Sequence, residues 1–182
     1  LEIKMNVYLL ATLDTKGQEA KFLRDELLSR GKKVILIDSG ILGEATDVVA
    51  DICRSEVAAC GGSTIGDIQQ SPSRAEAVQR MSDCVRVLLL KLHGQRAIDG
   101  VLCIAGAGGM LALPGMHSLP LGFPKLLLCP LLSGERIFEP FVQTSDMVLM
   151  HSVVDILGIN PISRKVFRNA AAAMSGMVEG RR

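Results

Sequence analysis

Two short turns rich in small residues have the composition of an anion-binding site. The first is Thr12-Leu13-Asp14-Thr15-Lys16-Gly17, which follows an apolar run and precedes a helical pattern. Such a turn leaves backbone N–H groups free at the start of a helix, where the helix dipole also favours negative charge. The Thr12 and Thr15 hydroxyls and the Lys16 ammonium would add hydrogen-bond donors and positive charge. The alternative is that Asp14 or Thr15 only caps the helix.

The second turn is Ala105-Gly106-Ala107-Gly108-Gly109-Met110, which follows another apolar run. Gly106, Gly108 and Gly109 permit positive φ angles and let a ligand approach the backbone closely. A turn of this kind before a helix can hold phosphate or carboxylate. It is not a Walker A loop, because no Gly-Lys-Ser/Thr follows, and it lacks a complete G-x-G-x-x-G. Close packing of strand on helix is the alternative, but the position after a strand favours ligand binding.

Three weaker candidates also follow apolar runs. Asp38 comes at the end of the second run, where an acidic residue can bind ribose hydroxyls, although many such residues only form turns. Ser133 and Gly134 follow the fourth run and could offer a hydroxyl and an N–H group to an anion. Glu135 could serve a metal or act as a base; an ordinary turn is the alternative for this segment.

The cysteines and histidines give no metal-binding pattern. The five cysteines contain no C-x-x-C pair, and the three histidines share no ligand spacing. We therefore expect free thiols, a reducing cytoplasm and no zinc site. Cys129, at the predicted end of a strand, is the thiol to test for reactivity.

The elements that position these turns alternate between strands and helices. Continuous apolar runs predict strands at Met5–Ala11, Lys33–Asp38, Asp99–Ala105 and Lys125–Cys129. Periodic segments predict helices at Thr15–Arg30, Ala45–Ala59, Ser71–Gly94, Met110–His117 and Ile162–Met177. Ser71 is the predicted N-cap of the third helix. The segment Met147–Leu157 is predicted to be helical or mixed. This alternation is typical of an α/β fold with a mostly parallel sheet and helices on both faces. Ligands of such sheets bind at the carboxyl ends of the strands.

Length and composition argue against several classes of protein. The chain has 182 residues, of which 48% are hydrophobic, and we expect one domain over residues 1–178, with 179–182 beginning a linker. Twenty basic residues against nineteen acidic ones, with no Trp and one Tyr, argue against nucleic-acid or anionic-membrane binding. The uncharged stretch from Gly100 to Pro124 contains glycines and prolines that would break a spanning helix. The N-terminus lacks the pattern of a secretory signal, so we expect a cytoplasmic protein.

Several segments together resemble a known family. They are TLDTKGQEAKFL (Thr12–Leu23), GVLCIAGAGGM (Gly100–Met110), LPLGFPK (Leu119–Lys125), SGE (Ser133–Glu135), HSVVDILGIN (His151–Asn160) and RNAAAAMSGM (Arg168–Met177). Their order is similar to that in the bacterial, fungal and plant family that includes the tomato mosaic virus resistance protein. The glycine turn departs from the family pattern Gly-Gly-Ser-Gly-Gly-Thr at Ala105, Ala107 and Met110. Two hydroxyl donors are thereby absent, while a cradle of backbone N–H groups remains available.

The resemblance implies a Rossmann-like three-layer sandwich that forms the N-terminal lobe of a two-lobed protein. It implies ATP binding, with Asp14–Gly17 and Gly106–Met110 facing the nucleotide and Ser133–Glu135 near the same cleft. Magnesium would arrive with ATP. The resistance protein itself binds ATP and a viral replication protein, whereas the bacterial members have no assigned reaction.

Three functions remain open at this point. The first is a nucleotide-binding or phosphate-binding lobe that meets the C-terminal lobe of the same protein. The second is a non-catalytic interaction module that forms a homo-oligomer through Met147–Leu157 and the Ala-rich Ile162–Met177. The third is an enzyme that acts on a different small anionic substrate in the same cradle. No residue is identified as catalytic.

Overall fold

A computed structural model describes residues 5–43, 48–106, 111–130 and 143–181. The described strands are β1 (Asn6–Ala11), β2 (Lys33–Asp38), β3 (Gly100–Ile104), β4 (Lys125–Cys129) and β5 (Val148–His151). The described helices are α1 (Leu13–Ser29), α2 (Arg54–Cys60), α3 (Ile65–Gln69), α4 (Arg74–Gly94), α5 (Leu113–His117) and α6 (Pro161–Glu179).

The five strands form one parallel sheet in the order β2-β1-β3-β4-β5. Leu9 of β1 lies in register with Leu36 of β2 and with Leu102 of β3. The chain adds β2 on one side of β1 and then returns to add β3 on the other side. The strand order therefore reverses between β1 and β3, and a reversal of this kind opens a crevice at the carboxyl ends of the two strands.

Both faces of the sheet are covered by helices, which confirms the predicted α/β sandwich. Leu9 and Leu102 lie on the face packed by α1 and α6, in a core that includes Phe167. Leu10 and Leu127 lie on the opposite face, which is packed by α2, α3, α4 and α5. Successive side chains of a strand point to opposite faces, so each strand must be apolar at nearly every position.

Local capping sets the ends of the long helices. Ser73 caps α4 by accepting a hydrogen bond from the backbone N–H of Glu76 at 3.2 Å, so the N-cap lies two residues after the predicted Ser71 and the helix begins at Arg74. Asn160 caps α6 by accepting from the N–H groups of Ile162 and Ser163, both at 2.9 Å. Gly31, with φ at +75°, follows α1 and stops it.

The predicted helix Ala45–Ala59 is wrong in its first part. Residues 45–47 lie outside the described ranges, and the described helix α2 begins only at Arg54. Asp51 and Ile52 instead run beside β2, and both backbone N–H groups donate to the carbonyl of Leu36. This pairing holds the segment extended, and the short helix α3 that follows α2 was not predicted.

The segment Met147–Leu157, predicted as helical or mixed, contains the edge strand β5 followed by turns. Its apolar run is too short for periodicity to distinguish a strand from a helix. Parallel pairing with β4, where His151 lies opposite Cys129, selects the strand.

No helix in the described parts of the chain is long and apolar enough to cross a bilayer.

Candidate functional site

A cleft of about 220 Å³ opens at the carboxyl ends of β1 and β3, where the strand order reverses. Its described lining comes from the turns after the strands and from the start of α4. The lining residues are Ala11, Thr12, Asp14, Thr15, Lys16, Ser39, Ile41, Leu42, Arg74, Val78, Cys103, Ile104, Ala105, Gly106, Leu111 and Ala112. The structure thus brings the first predicted turn and the beginning of the second to one cleft.

The first turn of α1 presents two hydroxyls to this cleft. Thr12 is the extended N-cap residue, and its carbonyl accepts hydrogen bonds from the N–H groups of Thr15 and Lys16. The Thr12 and Thr15 hydroxyl oxygens lie 3.0 Å apart. The helix is kinked at Lys16, which has φ −132° and ψ 25°, so the turn that carries the hydroxyls is offset from the rest of α1. The Thr15 hydroxyl also lies 3.3 Å from the Thr12 carbonyl, and one hydroxyl donates to the other, so the pair can offer one proton to an acceptor in the cleft.

Lys16 supplies a cation directly beside Gly106. A Cβ atom at Gly106 would lie 3.1 Å from Lys16 Cε, so the glycine leaves room for the lysine stem. Lys16 Nζ donates to the carbonyl oxygen of Ile156 at 2.5 Å. An ammonium group has three N–H donors, so this anchor leaves further donors for an anion in the cleft.

The two aspartates near the cleft hold backbone. Asp14 accepts a hydrogen bond from the N–H of Leu42 at 2.8 Å. Asp38 is buried and accepts from the N–H groups of Leu13 and Gly40 at 3.0 and 2.8 Å. Burial raises the pKa of Asp38, and its two backbone hydrogen bonds oppose that effect. Both carboxylates tie the loop after β2 to the start of α1, and ribose binding by Asp38 stays a prediction.

The remaining predicted site residues are placed as follows. Gly17 is buried in α1 and is not among the described lining residues. Gly108, Gly109, Met110, Ser133, Gly134 and Glu135 lie outside the described residues, so their contribution stays a prediction.

Several lining residues escaped the sequence reasoning. Arg74 is the first residue of α4, and Val78 lies one turn further on. Ile41 and Leu42 follow β2, and Leu111 precedes α5. Placing Arg74 at the cleft required knowledge of how α4 packs on the sheet.

The described lining carries a net positive charge. Lys16 and Arg74 are cationic, whereas Asp14 is the single carboxylate, and its Oδ2 already accepts the Leu42 N–H. The arrangement can therefore attract a small anion and contact an uncharged portion of it through apolar side chains. Among the residues that the structure describes, no three His, Cys, Asp or Glu side chains gather into a metal-binding group.

The thiols at the carboxyl edge are not accessible nucleophiles. Cys129, the predicted thiol to test, is completely buried. Cys103 lies in the floor of the cleft, and burial, aided by the neighbouring Cys129, raises its pKa far above the ordinary thiol value. A protonated thiol is a poor nucleophile, so Cys103 contributes packing. His151 also lies at this edge, and its buried Nδ1 has no hydrogen-bond partner among the described residues.

Comparison with known proteins identifies the family. A UPF0261 protein of Clostridium tetani is 38% identical over 176 residues, which cover 96% of this chain and 43% of that protein. The ToMV susceptible protein tm-1(GCR26) of Solanum lycopersicum is 35% identical over 190 residues, covering 96% of this chain and 25% of the tomato protein. The ToMV resistance protein Tm-1(GCR237) of the same plant is 34% identical over 192 residues.

The chain spans less than half of the length of these relatives. The model of the "Uncharacterised protein family (UPF0261) N-terminal domain" matches residues 5–182. This match agrees with the expected resemblance, and the chain belongs to the UPF0261 family.

Proposed function

We propose that this chain binds a phosphate-bearing ligand in the cleft between the ends of β1 and β3, with ATP as the ligand that the family resemblance suggests. The observation that carries the proposal is the Lys16 ammonium beside Gly106 at the point where the strand order reverses. Open α/β sheets bind their ligands at such points.

The described residues fit a phosphate group. The hydroxyl pair of Thr12 and Thr15 supplies a donor, and Lys16, whose stem fits against Gly106, supplies charge. The apolar lining residues would contact the uncharged part of the ligand. Magnesium would enter with the triphosphate and would neutralise part of its charge.

A second candidate, binding or conversion of a smaller anionic substrate, is favoured by the size of the described cleft. Its volume of about 220 Å³ lies below the roughly 300–1,000 Å³ of typical drug-sized ligand pockets. A sugar phosphate or a phosphorylated acid would fill such a space more completely than a nucleotide.

Calorimetric titration separates these candidates. The ligands are Mg-ATP, inorganic phosphate and a sugar phosphate, titrated into the wild type, Lys16→Gln and Lys91→Gln. Lys91 is an exposed lysine in the last turn of α4, far from the cleft, and serves as the matched control. A hydrogen bond to a charged group contributes about 1.5–3 kcal/mol, so Lys16→Gln should weaken binding roughly ten- to hundredfold.

Each outcome decides between the candidates. Binding of Mg-ATP that depends on Lys16 supports a nucleotide site. Binding of the small phosphates alone supports the second candidate. If no phosphate compound binds the wild type, or if Lys16→Gln binds as tightly as Lys91→Gln, the proposal is wrong.

Self-association is a competing proposal that a different observation favours. Val153 and Leu157, in the loop after β5, and Ile162 at the start of α6 are exposed apolar residues on neighbouring segments. Such a surface suits contact with a second copy of the chain. Light scattering after size exclusion should then give a dimer or larger species that Leu157→Ser shifts towards monomer, and a monomer at all concentrations would count against it.

A further inference from the structure

Arg74 is a basic residue at a position that is electrostatically unfavourable for a positive charge. It is the first residue of α4, where the positive end of the helix dipole disfavours a basic side chain. The start of the helix is already capped by Ser73 and carries Glu76 in its first turn. Arg74 therefore contributes nothing evident to the stability of α4.

Arg74 is exposed, and its guanidinium has no partner among the residues that the structure describes. Across residues 5–43, 48–106, 111–130 and 143–181 it makes no hydrogen bond or ion pair. Arg80 on the same helix donates to the Asp67 carbonyl at 2.6 Å, whereas exposed Arg86 resembles Arg74 in making no such bond with the described residues. Arg74 is thus a donor group at the cleft whose acceptor is not supplied by the described residues.

The two cations of the cleft arrive from opposite layers of the sandwich. Lys16 comes from α1, on one face of the sheet, and Arg74 comes from α4, on the other face. Apolar Ile41, Val78 and Leu111 belong to the same lining. A ligand with an anionic group at each end and an uncharged part between them could contact both cations and the apolar lining.

The two cations also differ in the geometry of the acceptor that suits them. The Lys16 ammonium is a point charge with the Thr12 and Thr15 hydroxyls in the same lining, and this combination suits a phosphate. The planar guanidinium of Arg74 can bind a carboxylate or a second phosphate through two parallel hydrogen bonds.

We propose that Arg74 is a specificity residue that selects a compact phosphate ester carrying a second anionic group, a carboxylate or another phosphate, at its far end. The inference rests on the proposed phosphate site at Lys16, and it names the substrate class of that site. Ile41, Val78 and Leu111 would contact the short carbon skeleton of this ester.

A matched pair of probes tests this inference. Glycerol 3-phosphate and 3-phosphoglycerate share a three-carbon skeleton and a phosphate, but only the second carries a carboxylate. The wild type should bind 3-phosphoglycerate at least tenfold more tightly. Arg74→Gln should abolish that preference while changing the affinity for glycerol 3-phosphate less than twofold, and Arg74→Lys should give an intermediate preference.

Two further variants distinguish the possible failures. Arg86→Gln, at an exposed arginine further along α4, should behave as the wild type. Lys16→Gln should weaken both probes equally, because both use the phosphate site. A preference that persists in Arg74→Gln, or equal affinities in the wild type, would overturn the role of Arg74 alone. If neither probe nor inorganic phosphate binds the wild type, the phosphate site and this inference fail together.

Discussion

Replacing Asp146 with asparagine should destabilise the protein more than replacing its partner Lys125 with methionine. Lys125 begins β4 and is completely buried, and its Nζ donates to Asp146 Oδ1 at 2.6 Å and to the Pro120 carbonyl at 2.8 Å. Asp146 is 40% exposed and also accepts the Gly122 N–H. Asp146→Asn would leave a buried ammonium without its carboxylate, whereas Lys125→Met leaves only a carboxylate that water can reach.

The exposure of Asp146 sets the expected magnitude. Breaking a fully buried pair by removing one partner costs about 3–5 kcal/mol, and an exposed pair contributes about 0–1 kcal/mol. We expect about 2–3 kcal/mol for Asp146→Asn, because the ammonium is buried but the carboxylate is half-exposed. Lys125→Met should cost about 1 kcal/mol or less, since an apolar side chain of similar volume fills the site.

Urea unfolding followed by circular dichroism measures the free energy of unfolding of both variants and of the wild type. The Asp146→Asn change should lower the melting temperature by about 5–10 °C for a domain of this size. Asp25→Asn, at an exposed carboxylate on α1, is the control and should stay within about 0.5 kcal/mol of the wild type. The reasoning is refuted if Lys125→Met is the more destabilising change, or if Asp146→Asn matches the control.

The same pair gives a pH dependence with a definite sign. The hydrogen bond from Lys125, followed by that from the Gly122 N–H, lowers the pKa of Asp146 below its usual value. The stabilisation is therefore complete above the unfolded-state pKa of about 3.9 and is lost as the pH falls through the folded-state pKa. The stability gap between wild type and Asp146→Asn should be constant from neutral pH to about pH 5 and narrow below about pH 4. A gap that widens on acidification would contradict this assignment.

Three further changes test packing, strain and thiol access. A Cβ at Gly61 would lie 2.3 Å from Cys84 Sγ, so Gly61→Ala should cost about 1–3 kcal/mol in urea unfolding, and Cys84→Ala in the same chain should restore part of the loss. Val153 has φ at +68°, so Val153→Gly should stabilise the protein by about 0.5–1 kcal/mol in thermal unfolding, whereas a net loss would argue against the strain. A thiol reagent should label the exposed Cys53 in the native protein and leave buried Cys103 unlabelled until unfolding, as mass spectrometry of digests can check.

The strands were predictable because a strand that is buried on both faces is apolar at nearly every position. Lys33–Asp38 and Lys125–Cys129 match the observed β2 and β4 end to end, since each is a continuous apolar run between polar turns. β5 was not predicted, because its four residues become a strand only by pairing with β4. The start of α2 was misplaced for a similar reason, as the preceding segment pairs with β2 in the folded chain.

The sequence predicted the turns that line the cleft, but not that they lie close together. The turn Thr12–Lys16 and Gly106 have recognisable compositions, but their proximity follows from the strand order, which local patterns do not specify. The sequence left Asp38 as either a ribose-binding residue or a turn residue, and in the structure its Oδ1 accepts backbone N–H groups of two segments. The contribution of Arg74 depends on the packing of α4 across the opposite face of the sheet.

The direction of α6 determines how the protein can be tethered for binding measurements. The helix begins near the carboxyl edge, where Gly158 donates to Glu19 of α1, and ends where Glu179 pairs with Lys32 just before β2. Its 19 residues span about 28 Å. A fluorophore or biosensor linker attached after α6 would therefore emerge on the far side of the molecule from the cleft. Surface immobilisation through that point leaves the opening facing the flow of ligand, and a label there reports rotation of the whole domain without competing for the site.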